Sequence, residues 1–166
     1  NSKILKSDFI TYDIITTNDS VNVYVPYINI NNFIYERFGT FTFKHVSTIL
    51  IEDILSTETH TNSTKLYVNV SKAHFQIIGL ENTKLSLYNA FDYSTKEDFI
   101  YYILFTAEQL NLDPDTLQLV FIGDIIKGDK LYNIAYKYIR NISFGNRNDN
   151  FELAETLETN YSHFTL

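Results

Sequence analysis

The side chains best suited to acid–base or metal chemistry in this chain are four histidines, and the sequence keeps them far apart. None has a second histidine four residues away, the spacing that places two metal ligands on one face of a helix. The chain has no cysteine, which excludes disulfides, thiolate catalysis and cysteine-bound zinc. We therefore predict no metal site, and we expect a solvent-facing or locally hydrogen-bonded ring at each of His45, His60, His74 and His163.

Glu97 and Asp98 form an adjacent pair of carboxylates. Neighbouring helical residues do not face each other, and negative charge in a first turn complements the helix dipole. Ser94 lies three residues before Glu97, which predicts a capping box with Ser94 as the N-cap. Capping therefore explains this pair without catalysis.

The composition limits the classes of partner. The chain has 166 residues, of which 45% are hydrophobic and 16% aromatic, as is typical of a globular protein. Its net charge of -7 would on average repel a phosphate backbone, which disfavours nucleic-acid binding. No apolar run approaches the ~20 residues of a membrane span. Because the chain lacks methionine and begins Asn1-Ser2-Lys3, we interpret it as a fragment of a longer protein.

The elements that would position a site are clearest in the middle of the chain. Leu66–Val70, His74–Leu80 and Lys84–Phe91 resemble strands joined by short turns, which predicts an antiparallel meander. A crossover helix over Thr95–Leu110 follows, and Leu117–Ile122 is a continuous apolar run typical of a buried parallel strand. This order predicts an α/β fold with a mixed sheet, the RNase H-like unit that forms half of an actin-like ATPase fold.

Shorter elements flank this region. We predict strands at Val21–Tyr27, Thr40–Val46 and Asn141–Phe144, and helices at Asn32–Phe38 (capped by Asn29 or Asn31 and ended by Gly39), Thr48–Leu55 (capped by Ser47), from Asp129 or Lys130 onward, and at Phe151–Leu157.

The element order suggests a weak internal repeat. Strand, helix and strand describe both Val21–Phe43 and Leu117–Phe144. We therefore interpret residues 1–57 as the back half of a first RNase H-like lobe, 58–64 as a linker and 65–166 as a second lobe. The front half of the first lobe would lie upstream.

Four stretches show a resemblance to a known family: LYNAFDY, the helix EDFIYYILF, the Gly-Asp at 123–124, and KYIRNI. They resemble an uncharacterised bacterial family, a domain of unknown function with an actin-like ATPase fold. The resemblance covers most of the chain and implies a two-lobed protein of the superfamily that includes actin and the sugar kinases. It implies no established activity, since fold alone does not give function.

The resemblance also indicates where a nucleotide would bind. An actin-like ATPase holds phosphate with an Asp and then a Gly between the first two strands of a lobe, where this chain has Asn69 and Ser71, followed by Lys72. Asparagine lacks the charge that holds Mg²⁺, and the Cβ of Ser71 hinders close approach of the backbone to phosphate. The adenosine turn, usually Gly-Gly, is Gly123-Asp124 here, which places a carboxylate in the path of the nucleotide. We therefore expect no cofactor and no ATP hydrolysis by this lobe.

The long helix has more apolar surface than one sheet can cover. A single stripe suffices to pack on the sheet, and a helix that is apolar on all sides is buried on more than one side. We predict an interface at Tyr101, Tyr102 and Phe105, with the missing first lobe, another protein or a second copy as partner. In the alternative, the tyrosines extend their hydroxyls to solvent and the C-terminal tail covers Phe105. The stripe that packs on the sheet is Phe99, Ile103, Ala107 and Leu110.

We interpret the chain as a degenerate actin-like module that acts as a non-catalytic scaffold or protein-interaction component in a bacterial cytoplasm. Two alternatives remain open. One is an ATP-binding actin-like ATPase, with ATP and Mg²⁺ as cofactors and a working phosphate loop upstream. The other is a small-ligand sensor that uses the cleft between the lobes.

Overall fold

The computed structural model describes residues 9–58 and 63–145, so the predictions for His60, His163 and the helix Phe151–Leu157 lie outside the described residues. The chain divides into two compact units, Asn1–Ser56 and Thr57–Leu166. The interpretation of these units as two lobes, and of 58–64 as a linker, stays a prediction.

The described elements follow in chain order. The first group is β1 (Thr11–Ile15), β2 (Ser20–Tyr24), α1 (Ile28–Phe38) and α2 (Val46–Thr57). The second group is β3 (Lys65–Val70), β4 (His74–Glu81), β5 (Lys84–Asp92), α3 (Lys96–Gln109), β6 (Gln118–Gly123), α4 (Lys130–Tyr136) and β7 (Asn141–Phe144).

The second unit contains a mixed five-stranded sheet with the order β5-β4-β3-β6-β7. β3, β4 and β5 form an antiparallel meander, while β6 pairs in parallel with β3 and β7 pairs in parallel with β6. The predicted fold class, with its meander, crossover helix and parallel strands, is confirmed. The observed ends of these strands differ from the predicted ones by at most one residue, as is usual at element termini.

The core of the second unit lies between one face of this sheet and the helices α3 and α4. Phe99 and Ile103 of α3 are fully buried with Val68, Phe75 and other residues of that face. The opposite face is also buried at Tyr67, Ile78 and Ile122. Burial of both faces explains why the sequence of β6 is apolar without alternation.

The N-terminus of α3 corrects the predicted cap by one residue. Thr95, not Ser94, is the N-cap, and its hydroxyl accepts a hydrogen bond of 3.0 Å from the backbone N–H of Asp98. The Asp98 carboxylate in turn accepts from the Thr95 N–H at 2.9 Å, which completes a capping box with Asp98 in place of Glu97. These hydrogen bonds lower the pKa of Asp98. Of the two carboxylates, Asp98 therefore caps the helix, and the predicted capping role of Glu97 is wrong.

The first unit departs further from the predictions. β1 and β2 form an antiparallel two-stranded ribbon, although we predicted no strand before Val21. α1 begins at Ile28 rather than Asn32 and has no side-chain cap, whereas Gly39 ends it as predicted, with a positive φ of 77°. The predicted strand Thr40–Val46 is wrong, because residues 39–45 form no regular structure and α2 begins at Val46. The strand that would complete the internal repeat is therefore not formed.

A buried carboxylate explains why the chain before α2 is not a strand. Asp13 accepts hydrogen bonds from the backbone N–H of His45 at 2.8 Å, from the Thr48 hydroxyl at 2.7 Å and from the Tyr24 hydroxyl at 3.0 Å. Burial alone would raise the pKa of Asp13, but these hydrogen bonds outweigh it and hold the pKa below its usual value. His45 is satisfied locally, since its Nδ1 accepts from the Ser47 N–H at 3.1 Å.

Candidate functional site

The carboxyl ends of β3 and β6 lie side by side at one end of the sheet. The parallel register places Asn69 opposite Ile122 and Val70 opposite Gly123. The turn containing Ser71 and Lys72 follows β3 directly, and Asp124 follows β6. The structure thus brings together the residues predicted at the nucleotide positions. In open α/β sheets, ligands bind outside the carboxyl ends of the parallel strands, so this edge is the candidate site.

Gly123 is in contact with the backbone of the neighbouring strand. Its φ is +84°, and a Cβ added to it would lie 2.3 Å from the carbonyl oxygen of Val70 and 2.9 Å from the Val70 nitrogen. The N–H of the next residue, Asp124, donates a 2.7 Å hydrogen bond to the same Val70 carbonyl. The position that a Cβ would occupy is therefore filled by β3, so the close packing of the two strands is enough to require glycine at 123.

The turn after β3 is closed by its own hydrogen bonds. The N–H of Ser71 donates to the carbonyl of His74 at 2.9 Å, and the carbonyl of Ser71 accepts from the Tyr93 hydroxyl at 2.7 Å. The Tyr93 N–H donates to the carbonyl of Ala73 at 3.0 Å. Lys72 is exposed at the tip of the turn. The N–H of Ser71, which a phosphate-binding turn would direct at its ligand, is already used within the protein.

Asn69 is also engaged within the sheet. Its side-chain Nδ2 donates a 2.7 Å hydrogen bond to Oε1 of Gln76 on β4, and its Oδ1 lies 2.7 Å from the position that a Cβ on Gly123 would occupy. A neutral amide in this position has no charge to attract a hydrated cation. Its hydrogen bond to Gln76 supports the β3–β4 pairing instead.

Two carboxylates of the segment after β6, those of Asp124 and Asp129, act on Tyr93. Burial raises the pKa of Tyr93, and the carboxylates of Asp129 and Asp124 raise it further. Asp124 is exposed, while Asp129 caps α4 by accepting a 2.7 Å hydrogen bond from the Tyr132 N–H.

Two sets of residues with structural importance were missed from the sequence. Tyr93 holds the turn after β3, although its only signal was its place at the end of LYNAFDY. Glu58 is buried, and its carboxylate accepts hydrogen bonds of 2.7 and 2.8 Å from Lys65 and another from the Tyr67 hydroxyl. Burial and this carboxylate raise the pKa of Tyr67 far above its usual range. The polar composition around Glu58 gave no indication of this cluster.

The outer face of α3 carries two exposed rings. Tyr101 is 61% exposed and Phe105 43% exposed, and their rings stack with centroids 6.1 Å apart. Tyr102 is half-buried, and its ring stacks on Phe91 of β5 at 4.6 Å. Tyr102 therefore packs at the rim of the unit's own core, and the exposed part of the predicted interface consists of Tyr101 and Phe105.

Comparison with known proteins identifies the family. A family model described as "Protein of unknown function (DUF3822)" matches residues 1–142. The chain belongs to this family. Among curated proteins, no match to this DUF3822 chain was found.

The fold of the DUF3822 chain is that of an actin-like ATPase. A solved structure from Bacteroides thetaiotaomicron, described as a protein with actin-like ATPase fold and unknown function, aligns with a TM-score of 0.78 and 27% sequence identity. The alignment covers 87% of this chain and 56% of the Bacteroides chain. The DUF3822 chain therefore spans little more than half the length of that protein.

The residues at these positions of the DUF3822 chain do not fit the group that the actin-like fold implies. Mg²⁺-ATP needs a carboxylate for the hydrated metal and open backbone donors for phosphate, whereas the matching positions hold Asn69, a closed Ser71 turn and Asp124. Across residues 9–58 and 63–145, no group of three or more His, Asp or Glu side chains is placed to hold a metal ion. In the same residues, no helix has the length and apolar character needed to cross a membrane.

Proposed function

We propose that this DUF3822 chain is a degenerate actin-like module that works as a non-catalytic, protein-interacting component. The observation that supports this most strongly is the contact between Gly123 and Val70. The glycine that would admit a nucleotide is closed by the carbonyl of Val70, 2.3 Å from the position of a Cβ. Close strand packing alone accounts for the glycine, so its presence at the adenosine position does not require a nucleotide.

The energetic cost of opening this site supports the same proposal. For a nucleotide to use these backbone donors, the Asp124 N–H would have to leave the Val70 carbonyl and the Ser71 N–H the His74 carbonyl. Val70 is buried, and an unpaired buried carbonyl costs about 1–3 kcal/mol, which would subtract from the roughly 8 kcal/mol of a micromolar ligand.

We expect this chain to bind Mg²⁺-ATP with a Kd no tighter than about 1 mM, equivalent to about 4 kcal/mol. Titration calorimetry on the 166-residue chain measures it, with a nucleotide-binding actin-like ATPase as the positive control. The variant Lys72→Glu controls for non-specific attraction to the exposed lysine, because it should abolish any residual heat. A micromolar Kd would overturn the proposal.

The interacting surface that we propose is the outer face of α3, with a second copy of the chain as partner. Tyr101 and Phe105 are exposed and stacked on a rigid helix, and aromatic side chains are over-represented among residues that dominate interface energies. Two-fold dimers, in which the same surface meets itself, are the commonest assemblies of identical chains.

We expect the double variant Tyr101→Ser/Phe105→Glu to lose self-association while remaining folded. Burying one such ring contributes about 1.5–3 kcal/mol, so the association constant of the dimer should fall by roughly tenfold or more. Sedimentation velocity over a concentration series, beside a thermal melt, measures both effects. The matched control Tyr102→Ser should instead lower the melting temperature, because Tyr102 stacks on Phe91. A wild-type chain that stays monomeric over the series would contradict this interface.

One observation favours a second function. The match covers 56% of the Bacteroides chain, so a longer form of this protein would have room for a working phosphate loop outside the matched part. An ATP-binding actin-like ATPase would then bind nucleotide as the full-length protein and not as the 166-residue chain. Calorimetry on both forms separates the two functions. The bacterial cytoplasm as the location stays a prediction.

A further inference from the structure

One face of the ribbon formed by β1 and β2 is apolar and exposed. Residues directly opposite each other in an antiparallel pair point to the same face, as do alternate residues along a strand. Two opposite pairs, Tyr12 with Val23 and Ile14 with Val21, therefore share one face. All four side chains are 56–62% exposed. We call these four residues the ribbon face.

The other side of the ribbon is already covered. Asp13 and Ile15 are buried there, and Asp13 is hydrogen-bonded to Thr48 of α2. An isolated two-stranded ribbon is at best marginally stable in water and needs further strands or a packed layer. Monomeric proteins also rarely expose a large contiguous apolar patch. The ribbon face therefore has the character of a packing surface.

The helix α1 of the same unit also has apolar side chains that no other described element covers. It has no buried residue along Ile28–Phe38, and Phe33, Tyr35 and Phe38 are each more than half exposed. In its described part, the first unit thus carries more apolar surface than its own elements cover.

The second unit shows how this chain covers a comparable surface. There, α3 lies on the meander with Phe99 and Ile103 packed among Val68, Phe75 and Ile77. A helix with an apolar stripe is the usual cover for one face of a sheet, because its stripe fits across neighbouring strands.

The length of the solved relative indicates where such a helix comes from. The alignment covers 56% of the Bacteroides chain, so the remainder of that chain has no counterpart here. We propose that the ribbon face is covered by an amphipathic helix from a segment that completes the first lobe and corresponds to that remainder. Its contact is apolar, with a stripe of aliphatic or aromatic side chains lying across the two cross-strand pairs. The proposal requires that the protein has two lobes. It does not depend on whether the protein binds a nucleotide.

Hydroxyl-radical footprinting of the full-length protein and of the 166-residue chain tests this directly. Tyr12 and Tyr136 are matched probes, with exposures of 62% and 61% in different units. We expect Tyr12 to be labelled at least about fivefold more slowly in the full-length protein, because the helix removes it from water. Tyr136 should be labelled equally in both. Labelling at Tyr101 reports separately on the α3 interface, so failure of one proposal is distinguishable from failure of the other.

Three results would overturn the proposal. Equal labelling of Tyr12 in the two proteins would show that the additional segment does not cover the ribbon face. Concentration-dependent protection of Tyr12 in the 166-residue chain alone would assign the face to a second copy instead. A full-length protein no longer than these residues would leave no segment to supply the helix.

Discussion

Replacing Gly123 with alanine should destabilise the second unit by roughly 3 kcal/mol or more, through left-handed backbone strain added to a steric clash. The residue has a φ of +84°, and the new Cβ would lie 2.3 Å from the Val70 carbonyl, a distance that real Cβ atoms essentially never show. Either β6 moves away from β3 or the hydrogen bond from Asp124 to Val70 is lost. Urea unfolding followed by circular dichroism measures the change.

Gly128→Ala is the matched control for this experiment. Gly128 also has a positive φ, +93°, but a Cβ added there meets no atom within 4 Å. Its loss should be limited to the backbone strain, about 1–2 kcal/mol. If the two variants lose equal stability, the contact with Val70 is not what requires glycine at 123.

Replacing Glu58 with glutamine should cost about 3 kcal/mol, because removing one partner leaves a largely buried ammonium without compensation. The Lys65 side chain is 17% exposed, and both Glu58 oxygens accept hydrogen bonds from its Nζ. Because Lys65 Nζ contacts both Glu58 oxygens, the NH2 group of glutamine would face the ammonium whichever way the amide is turned. Urea unfolding at neutral pH measures the loss.

Two further variants test whether the loss comes from the buried ion pair. One removes a carboxylate elsewhere, and the other removes only the Tyr67 hydrogen bond. Glu108→Gln removes an exposed carboxylate on α3 and should change stability by less than about 0.5 kcal/mol. Tyr67→Phe removes one donor to Glu58 and should cost about 1 kcal/mol. If Glu58→Gln were as mild as Glu108→Gln, the buried cluster would not stabilise the start of the second unit.

Sequence patterns predicted the second unit well because its burial is regular. The continuous apolar sequence of β6 required a strand covered on both faces, and the short turns around β4 allowed only a meander. The cap of α3 was displaced by one residue because Ser94-Thr95 and Glu97-Asp98 offer two equivalent boxes. Only the observed hydrogen bonds between Thr95 and Asp98 distinguish them.

The first unit was harder to predict because burial in β1 does not follow residue polarity. Tyr12 and Ile14 are exposed, whereas the polar Asp13 is buried on the same face as Ile15. Glu58 was equally hidden, since its partners Lys65 and Tyr67 become neighbours only in the folded chain. At Gly123, the sequence allowed both a ligand-binding and a structural role. The distance to the Val70 carbonyl favours the structural one.

The most direct test of the closed site follows its backbone amides during a nucleotide titration. Four amide signals of the ¹⁵N-labelled chain, those of Ser71, Lys72, Gly123 and Asp124, would be recorded as Mg²⁺-ATP rises from about 1 µM to about 10 mM. We predict no saturable shift below about 1 mM, with the Asp124 amide protected from solvent exchange throughout by the Val70 carbonyl. Saturable shifts of these four signals at micromolar concentrations of Mg²⁺-ATP would contradict the account of a closed site.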